Sequence, residues 1–154
     1  MLLLLQEMVK QKARYILVQV IPEKKQFELI SGQIFKEVMR LIGDMHGDLG
    51  FSAVKASITI KISDLDVFLV KIETSVEKYV TTALPFLTSI VGNTVVCRTI
   101  FIGRSIRACE KALIKWRRKE LYHAFSSARG KAEKNVILEE ICSVSGNLTG
   151  KGFS

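Results

Sequence analysis

Apolar segments in the order strand, helix, strand, strand, helix, strand predict an α/β sandwich (α+β) of the ferredoxin-like βαββαβ class, with an antiparallel sheet and an added basic C-terminal helix. The first and third strand segments, "RYILVQVI" (Arg14–Ile21) and "VFLVKI" (Val67–Ile72), are apolar at both parities, as strands buried on both faces are. Two amphipathic stretches at helical spacing separate the strands. No run approaches the ~20 apolar residues of a membrane span.

The first strand stops at Pro22 and leads into the polar loop "PEKKQ". From Ser31 to about Met45, the positions Ile34, Phe35, Val38, Leu41 and Ile42 recur at helical spacing, with Ser31 as N-cap and Gly43 or Gly47 as the stop. "SAVKASITIKIS" alternates Val54, Ala56, Ile58, Ile60 and Ile62 with Lys55, Ser57, Thr59 and Lys61, which predicts a strand with one wet face. "SDLD" makes the turn into Val67–Ile72, a central strand. Thr74 and Glu77 have capping-box spacing, so a second helix starts there and is kinked or ended near Pro85. A turn at Gly92–Asn93 precedes the strand Thr94–Ile102. Gly103 breaks that strand, Ser105 caps, and a helix runs toward Phe125. "SSARGK" reads as a loop, Glu133–Val144 as a short helix and "SGNLTGKGFS" as a flexible tail. The expected organisation is therefore one domain over 1–125, including the basic helix at about 104–125, and a tail over 126–154. With both faces of the central strands apolar, the added helix or a partner protein must cover the second face.

The chain has 154 residues, 48% of them hydrophobic, and a net charge of +8, which favours a polyanionic partner. Its three cysteines, Cys97, Cys109 and Cys142, are odd in number and lack CxxC spacing, which argues against a disulfide framework or a zinc site. The opening "MLLLL" is too short for a signal peptide's apolar region. These features predict a soluble intracellular protein in a reducing compartment.

The positive charge is concentrated in "IGRSIRACEKALIKWRRKEL" (Ile102–Leu121), which holds seven Lys or Arg against two acids. On a helix, Arg104, Arg107, Lys111, Lys115 and Arg118 fall within an arc of roughly 80° and span about 21 Å. Ile106, Cys109, Leu113 and Trp116 fall opposite, an apolar stripe to bury. Solvated faces ordinarily mix signs, because like charges at i,i+4 cost roughly 0.2–0.5 kcal/mol per pair. A ridge of one sign therefore points to phosphate binding rather than a bland surface.

Other chemistry-bearing residues read as structural. Asp44, His46 and Asp48 in "GDMHGDLG" would need to converge to hold a metal, and the glycines around them favour a helix stop and turn. "SVEK" lacks the companion motifs of an S-x-x-K enzyme. His123 stands alone, and the "GK" pairs at Gly130 and Gly150 lack the rest of a phosphate loop. No nucleophile–base pair or paired acids stand out. An RNA-recognition domain shares this strand order but carries aromatics on its third strand, where this chain offers only Phe68. RNA contact would then run through helix and loop cations.

The segments "KARYILVQV", "HGDLG", "TTALPFLTSI" and "TIFIGRSIRACEKALIKWRRKEL" together resemble the Pop-five/Rpp-fourteen family of ribonuclease P and ribonuclease MRP protein subunits, over roughly Lys12 to Tyr122. The resemblance implies an RRM-like or ferredoxin-like sandwich. It also implies a subunit that is not an enzyme by itself, in a ribonucleoprotein whose RNA removes the 5′ leader of precursor tRNA or processes rRNA. No cofactor is expected on the protein, and Mg²⁺ belongs to the RNA active site. The implied partners are the ribonuclease P or MRP RNA, precursor tRNA indirectly, and a TIM-barrel-like subunit of the Rpp-thirty/Rpp-one type, with no membrane. The implied location is the nucleus or nucleolus in a eukaryote and the cytoplasm in an archaeon. Positions carried over are Lys12 and Arg14 at the first strand, Gly47 and Gly50 in the glycine turn, Ala83–Phe86 in the second helix, and Gly103 to Arg107 at the strand-to-helix turn. Arg104 stands where the family often has a small residue. The expected RNA contacts are Lys12, Arg14, Arg98, Arg104, Arg107, Lys111, Lys115 and Arg118. The rival class is a ferredoxin-like protein–protein module without nucleic acid, since fold alone does not choose. A basic amphipathic helix on an acidic membrane or in a calmodulin groove is a third reading, and it needs the Ile106–Trp116 stripe free.

Overall fold

The structure is a computed structural model, and it describes residues 12–24 and 27–146. The opening "MLLLL" and residues 147–154, which include Asn147, Gly150 and Lys151, lie outside the described residues. The chain divides into two compact units, Met1–Ser105 and Ile106–Ser154.

The first unit is the ferredoxin-like sandwich. Its elements are β1 (Ala13–Pro22), α1 (Ser31–Lys55), β2 (Thr59–Asp64), β3 (Val67–Glu73), α2 (Glu77–Ala83), β4 (Ser89–Ile90) and β5 (Asn93–Gly103). The five strands form one antiparallel sheet in the order β2-β3-β1-β5-β4. β1 and β3, the two strands with continuous apolar runs, pair with each other, and each has a second neighbour. Ile16, Val18 and Val20 of β1 and Phe68, Val70 and Ile72 of β3 enter one core with Ile34, Val38 and Ile42 of α1 and Val80 and Ala83 of α2. The opposite parity is buried too: Leu17, Val67 and Leu69 are at most 3% exposed. A register shift between Leu17 and Val18 marks a bulge in β5 around Ile100.

Several local expectations change. The predicted strand from Ser52 begins only at Thr59, because α1 continues to Lys55. Val54 is fully buried as part of the helix, and the N–H groups of Ser57 and Ile58 donate back to its carbonyl. Ser31 is not the cap; Ile30 occupies that position, with no side-chain cap bond. Within α1, Gly43 stays helical and Gly47 makes the break, at φ +69° and ψ −168°. A left-handed φ is open to glycine at little cost and strained for other residues. Gly50 answers a different need: a Cβ there would stand 2.5 Å from the His46 Cβ.

The Thr74/Glu77 capping box does not form either. Thr74 to Val76 make a 3₁₀ turn before α2. The Thr74 hydroxyl donates to the Lys12 carbonyl at 2.7 Å, and Glu77 accepts from Arg14 Nε at 3.1 Å. Both residues hold the start of β1 instead of capping a helix. α2 ends at Ala83, ahead of a 3₁₀ turn containing Pro85. The hairpin turn sits at Val91–Gly92, one residue earlier than expected, with φ of 49° and 73°. Two positive φ values match the strand twist in a two-residue hairpin loop, which puts a β-branched valine in a strained conformation.

The second unit is a helical hairpin of α3 (Ile106–Ser127) and α4 (Lys131–Gly146). α3 absorbs Ser126 and Ser127, so the expected "SSARGK" loop shrinks to Ala128–Gly130. α4 is longer than the predicted Glu133–Val144. Ala124, Ser127 and Ala128 line a groove with Glu133, Val136 and Ile137 across the hairpin. The Lys134 ammonium lies 5.5 Å from the centre of the Phe125 ring.

Candidate nucleic-acid interface

α3 lies within a chain segment rich in helix formers and without proline, after the bend at Arg104–Ser105. Arg107, Lys111 and Lys115 are exposed and follow each other at i,i+4, so their Cα atoms advance about 6 Å per step along one face. Glu110 and Glu120 project outside the ~80° arc that these cations share. Arg118 lies in the same arc but is half-buried. Arg104 is exposed and precedes the helix, so it does not belong to the helical ridge on which the sequence reading placed it. Of the apolar stripe, Cys109 is buried, while Ile106, Leu113 and Trp116 are half-buried. The Arg117 guanidinium sits over the Trp116 ring at 4.9 Å.

The ridge continues past the residues singled out in the sequence. Tyr122 lies four residues beyond Arg118 and falls in the same arc at ~100° per residue. The residue is 59% exposed. Carrying the helical wheel one turn further would have found it.

The first-unit cations are distributed differently. Antiparallel pairing sets Tyr15 opposite Gly103, so Lys12, Arg14 and Arg104 share one end of the sheet. Arg14 has the parity of Ile16 and points to the helix-covered face, where it pairs with Glu77 at 3.1 Å. Arg98 lies opposite Gln19, five residues further along β1, roughly 17 Å away at ~3.3 Å per residue. It has the parity of Gln19, on the other face. These sheet cations do not form a single cluster.

The sites read as structural in the sequence take ordinary partners. Asp44 accepts from Arg40 Nη1 at 3.2 Å. His46 Nε2 lies 2.9 Å from Thr82 Oγ1, and its ring meets Tyr79 edge-on at 5.0 Å between centres. The Thr82 hydroxyl donates to the Lys78 carbonyl at 2.7 Å, so its oxygen accepts and His46 Nε2–H donates. Among the described residues, no three of His, Cys, Asp and Glu gather in a way that could hold a metal ion. No described helix is long and apolar enough to cross a membrane. Burial pushes the Cys97 thiol up to about 11. Burial, then the charge of Glu110, does the same for Cys109, also to about 11. Both stay protonated at neutral pH and are poor nucleophiles.

A sequence model of the Rpp14/Pop5 family, the one that the quoted segments resemble, matches residues 14–114. A relative from Dictyostelium discoideum, the probable ribonuclease P/MRP protein subunit POP5, is 30% identical over 112 residues, covering 70% of this chain and 66% of the relative. The ribonuclease P/MRP protein subunit POP5 of Danio rerio is 28% identical over 151 residues, 92% of this chain and 89% of the relative. Among solved structures, a chain in the cryo-EM structure of yeast ribonuclease MRP aligns with a TM-score of 0.53 at 6% identity, over 90% of this chain and 95% of that one. At that identity the likeness is one of fold.

Proposed function

The chain belongs to the Rpp14/Pop5 family, and from that premise we propose that it is a protein subunit of the ribonuclease P or ribonuclease MRP ribonucleoprotein, holding structured RNA through phosphate contacts from α3. The observation that carries the RNA contact is the ridge itself: Arg107, Lys111 and Lys115 are exposed on one face, with no acid in their arc. Phosphate contacts fix position without reading sequence. The protein's role is then to stabilise and place an RNA whose own Mg²⁺-dependent chemistry trims precursor tRNA or processes rRNA, in the nucleus or nucleolus of a eukaryote. Catalysis by the chain alone is not part of this reading.

A protein partner in the same particle is part of the reading. Leu65 is 89% exposed on the β2–β3 turn, and Ile21 and Val96, paired across β1 and β5, are 47% and 61% exposed. Apolar side chains at one end of a sheet suit a neighbouring subunit, and the family resemblance points to one of TIM-barrel-like fold.

The test is a titration of the purified chain against a structured RNA at several salt concentrations. A steep fall of affinity with salt supports the reading, because each phosphate contact releases counterions. Salt-independent or absent binding overturns it in favour of a protein–protein module. Capture of the chain from cells followed by RNA sequencing names the RNA.

A further inference from the structure

We infer that α3 takes one RNA strand at the end of a duplex, with Arg107, Lys111, Lys115 and Arg118 on consecutive phosphates and Tyr122 stacked on the first unpaired base. This deepens the RNA-binding reading above and rests on it.

The argument starts from spacing. Along the helix axis the arc holds cations at steps of about 6, 6 and 4.5 Å, and Tyr122 follows about 6 Å later. Steps of that size match the separation of successive phosphates along one strand of an A-form helix. They do not match a groove crossing, which would need cations in two separated rows. The ridge therefore suits a single strand running alongside α3.

Curvature comes next. A strand within an A-form duplex winds away from a straight protein helix after a few phosphates. Tyr122, about 22 Å from Arg107 along the axis, is reached only if the strand leaves the duplex and runs on unpaired. An unpaired base exposes its π-face, and exposed aromatics beside cations are the usual stacking partners of such bases.

The side chains at the end of the ridge fit that division. Phe125 falls in the same arc but is half-buried, and the Lys134 ammonium already sits over its ring at 5.5 Å. Tyr122 is the exposed aromatic on the ridge, at 59% exposure. The hairpin groove, lined by Ala124, Ser127 and Ala128, opens on a different side of α3, and Tyr122 stays exposed although Lys134 of α4 reaches Phe125 at the far end of the arc.

The experiment measures binding of the full chain to two RNAs with the same stem-loop, one blunt and one with a short unpaired extension. Wild-type protein is expected to prefer the extended RNA. Tyr122→Ala should lower affinity for the extended RNA about ten-fold, the scale of one lost base stack, and leave the blunt RNA within about two-fold. Tyr122→Phe should retain wild-type behaviour, since stacking does not use the hydroxyl. Equal affinities of Tyr122→Ala and wild type for the extended RNA would overturn the inference. So would a Tyr122→Phe variant as weak as Tyr122→Ala, because the contact would then be a hydroxyl to phosphate. If instead wild type binds neither RNA in a salt-dependent way, the RNA-binding reading itself fails. If binding is steeply salt-dependent but indifferent to the extension and to Tyr122, only the stacking contact fails.

Discussion

Arg14 and Arg107 both sit near the N-terminal end of a regular element, and their surroundings differ completely. Arg14, at the start of β1, is one-fifth exposed and pairs with Glu77, whose neighbour Thr74 bonds the Lys12 carbonyl. Arg107, in the first turn of α3, is exposed, and its i+4 and i+8 neighbours are further cations. A cation at a helix N-terminus also opposes the macrodipole. The first unit pairs its charges with partners: Arg40 bridges Glu37 and Asp44 along one helix face, and Gln19 donates to Asp66 across the fold. The second carries a run of exposed like charge at Arg107, Lys111 and Lys115, while Arg117 and Lys134 lie over the Trp116 and Phe125 rings. Residue type alone does not distinguish a structural cation from a ligand-binding one; partial burial against an acid from a distant part of the chain, as at Arg14 and Glu77, does.

The comparison breaks most visibly where the first unit's core is removed. Phe68 of β3 is fully buried, so Phe68→Ala should cost about 3–5 kcal/mol, read by chemical denaturation of the full chain. A loss below about 1 kcal/mol would mean that the apolar strands do not anchor this unit.

Gly50→Ala comes next. Its Cβ would stand 2.5 Å from the His46 Cβ, so the segment after the Gly47 break must shift and disturb the bond from His46 to Thr82. Overpacking of this kind costs roughly 1–3 kcal/mol. The prediction fails if the variant melts with wild type.

Alkaline pH acts on both units. The Cys97 and Cys109 thiols titrate near 11 in the folded chain against an ordinary 9.0, so the unfolded chain loses these protons first. Their contribution is fully present below pH 9 and is lost as pH rises toward 11. A denaturation series over that window should show stability falling, and Cys97→Ser with Cys109→Ser should flatten the fall. At pH 8, exposed Cys142 should react with a thiol reagent well before the other two.

How much of this was legible in the sequence depends on whether a residue's partners are local. β1 and β3 were legible because continuous apolar runs fit a doubly covered strand. The α1–β2 boundary was not, because Val54 and Ile58 lie four apart and satisfy both a helical and an alternating pattern. Thr74 and Glu77 have capping spacing, but their partners, Lys12 and Arg14, lie more than sixty residues away and won the competition. Val91 could not be foreseen at positive φ from its own identity. In the candidate site, the cationic arc followed directly from helical geometry, while the half-burial of Arg118 and Leu113 depends on neighbours that a wheel does not contain.

A smaller effect is expected from the Arg14–Glu77 pair. Both side chains are partly exposed, at 20% and 28%, and ion pairs in such settings contribute about 0.2–1 kcal/mol. A double-mutant cycle with Arg14→Gln and Glu77→Gln should return a coupling in that range. Zero coupling would place Arg14 with the cations free to bind RNA and weaken the contrast with Arg107.

The smallest effect on stability is expected at the ridge, and there the contrast is sharpest. Arg107→Ala and Lys111→Ala remove exposed cations that stand at i,i+4 from like charges, with Glu110 at i+3 from Arg107 as partial relief, so stability should stay within about 0.5 kcal/mol of wild type. Binding should respond differently. Each lost phosphate contact lowers the magnitude of the salt slope by about 1, and does so on matched and unmatched structured RNAs alike, because phosphates carry no sequence. Leu113, half-buried rather than enclosed, supplies the internal control: Leu113→Ala should lower stability by less than the roughly 2–5 kcal/mol of a fully buried leucine while leaving the salt slope unchanged. Melts and salt titrations of the three variants test this together. Intact folds with unchanged slopes for both charge variants would make the ridge a solvated surface and move the RNA contacts to the sheet end, where Lys12 and Arg104 lie exposed.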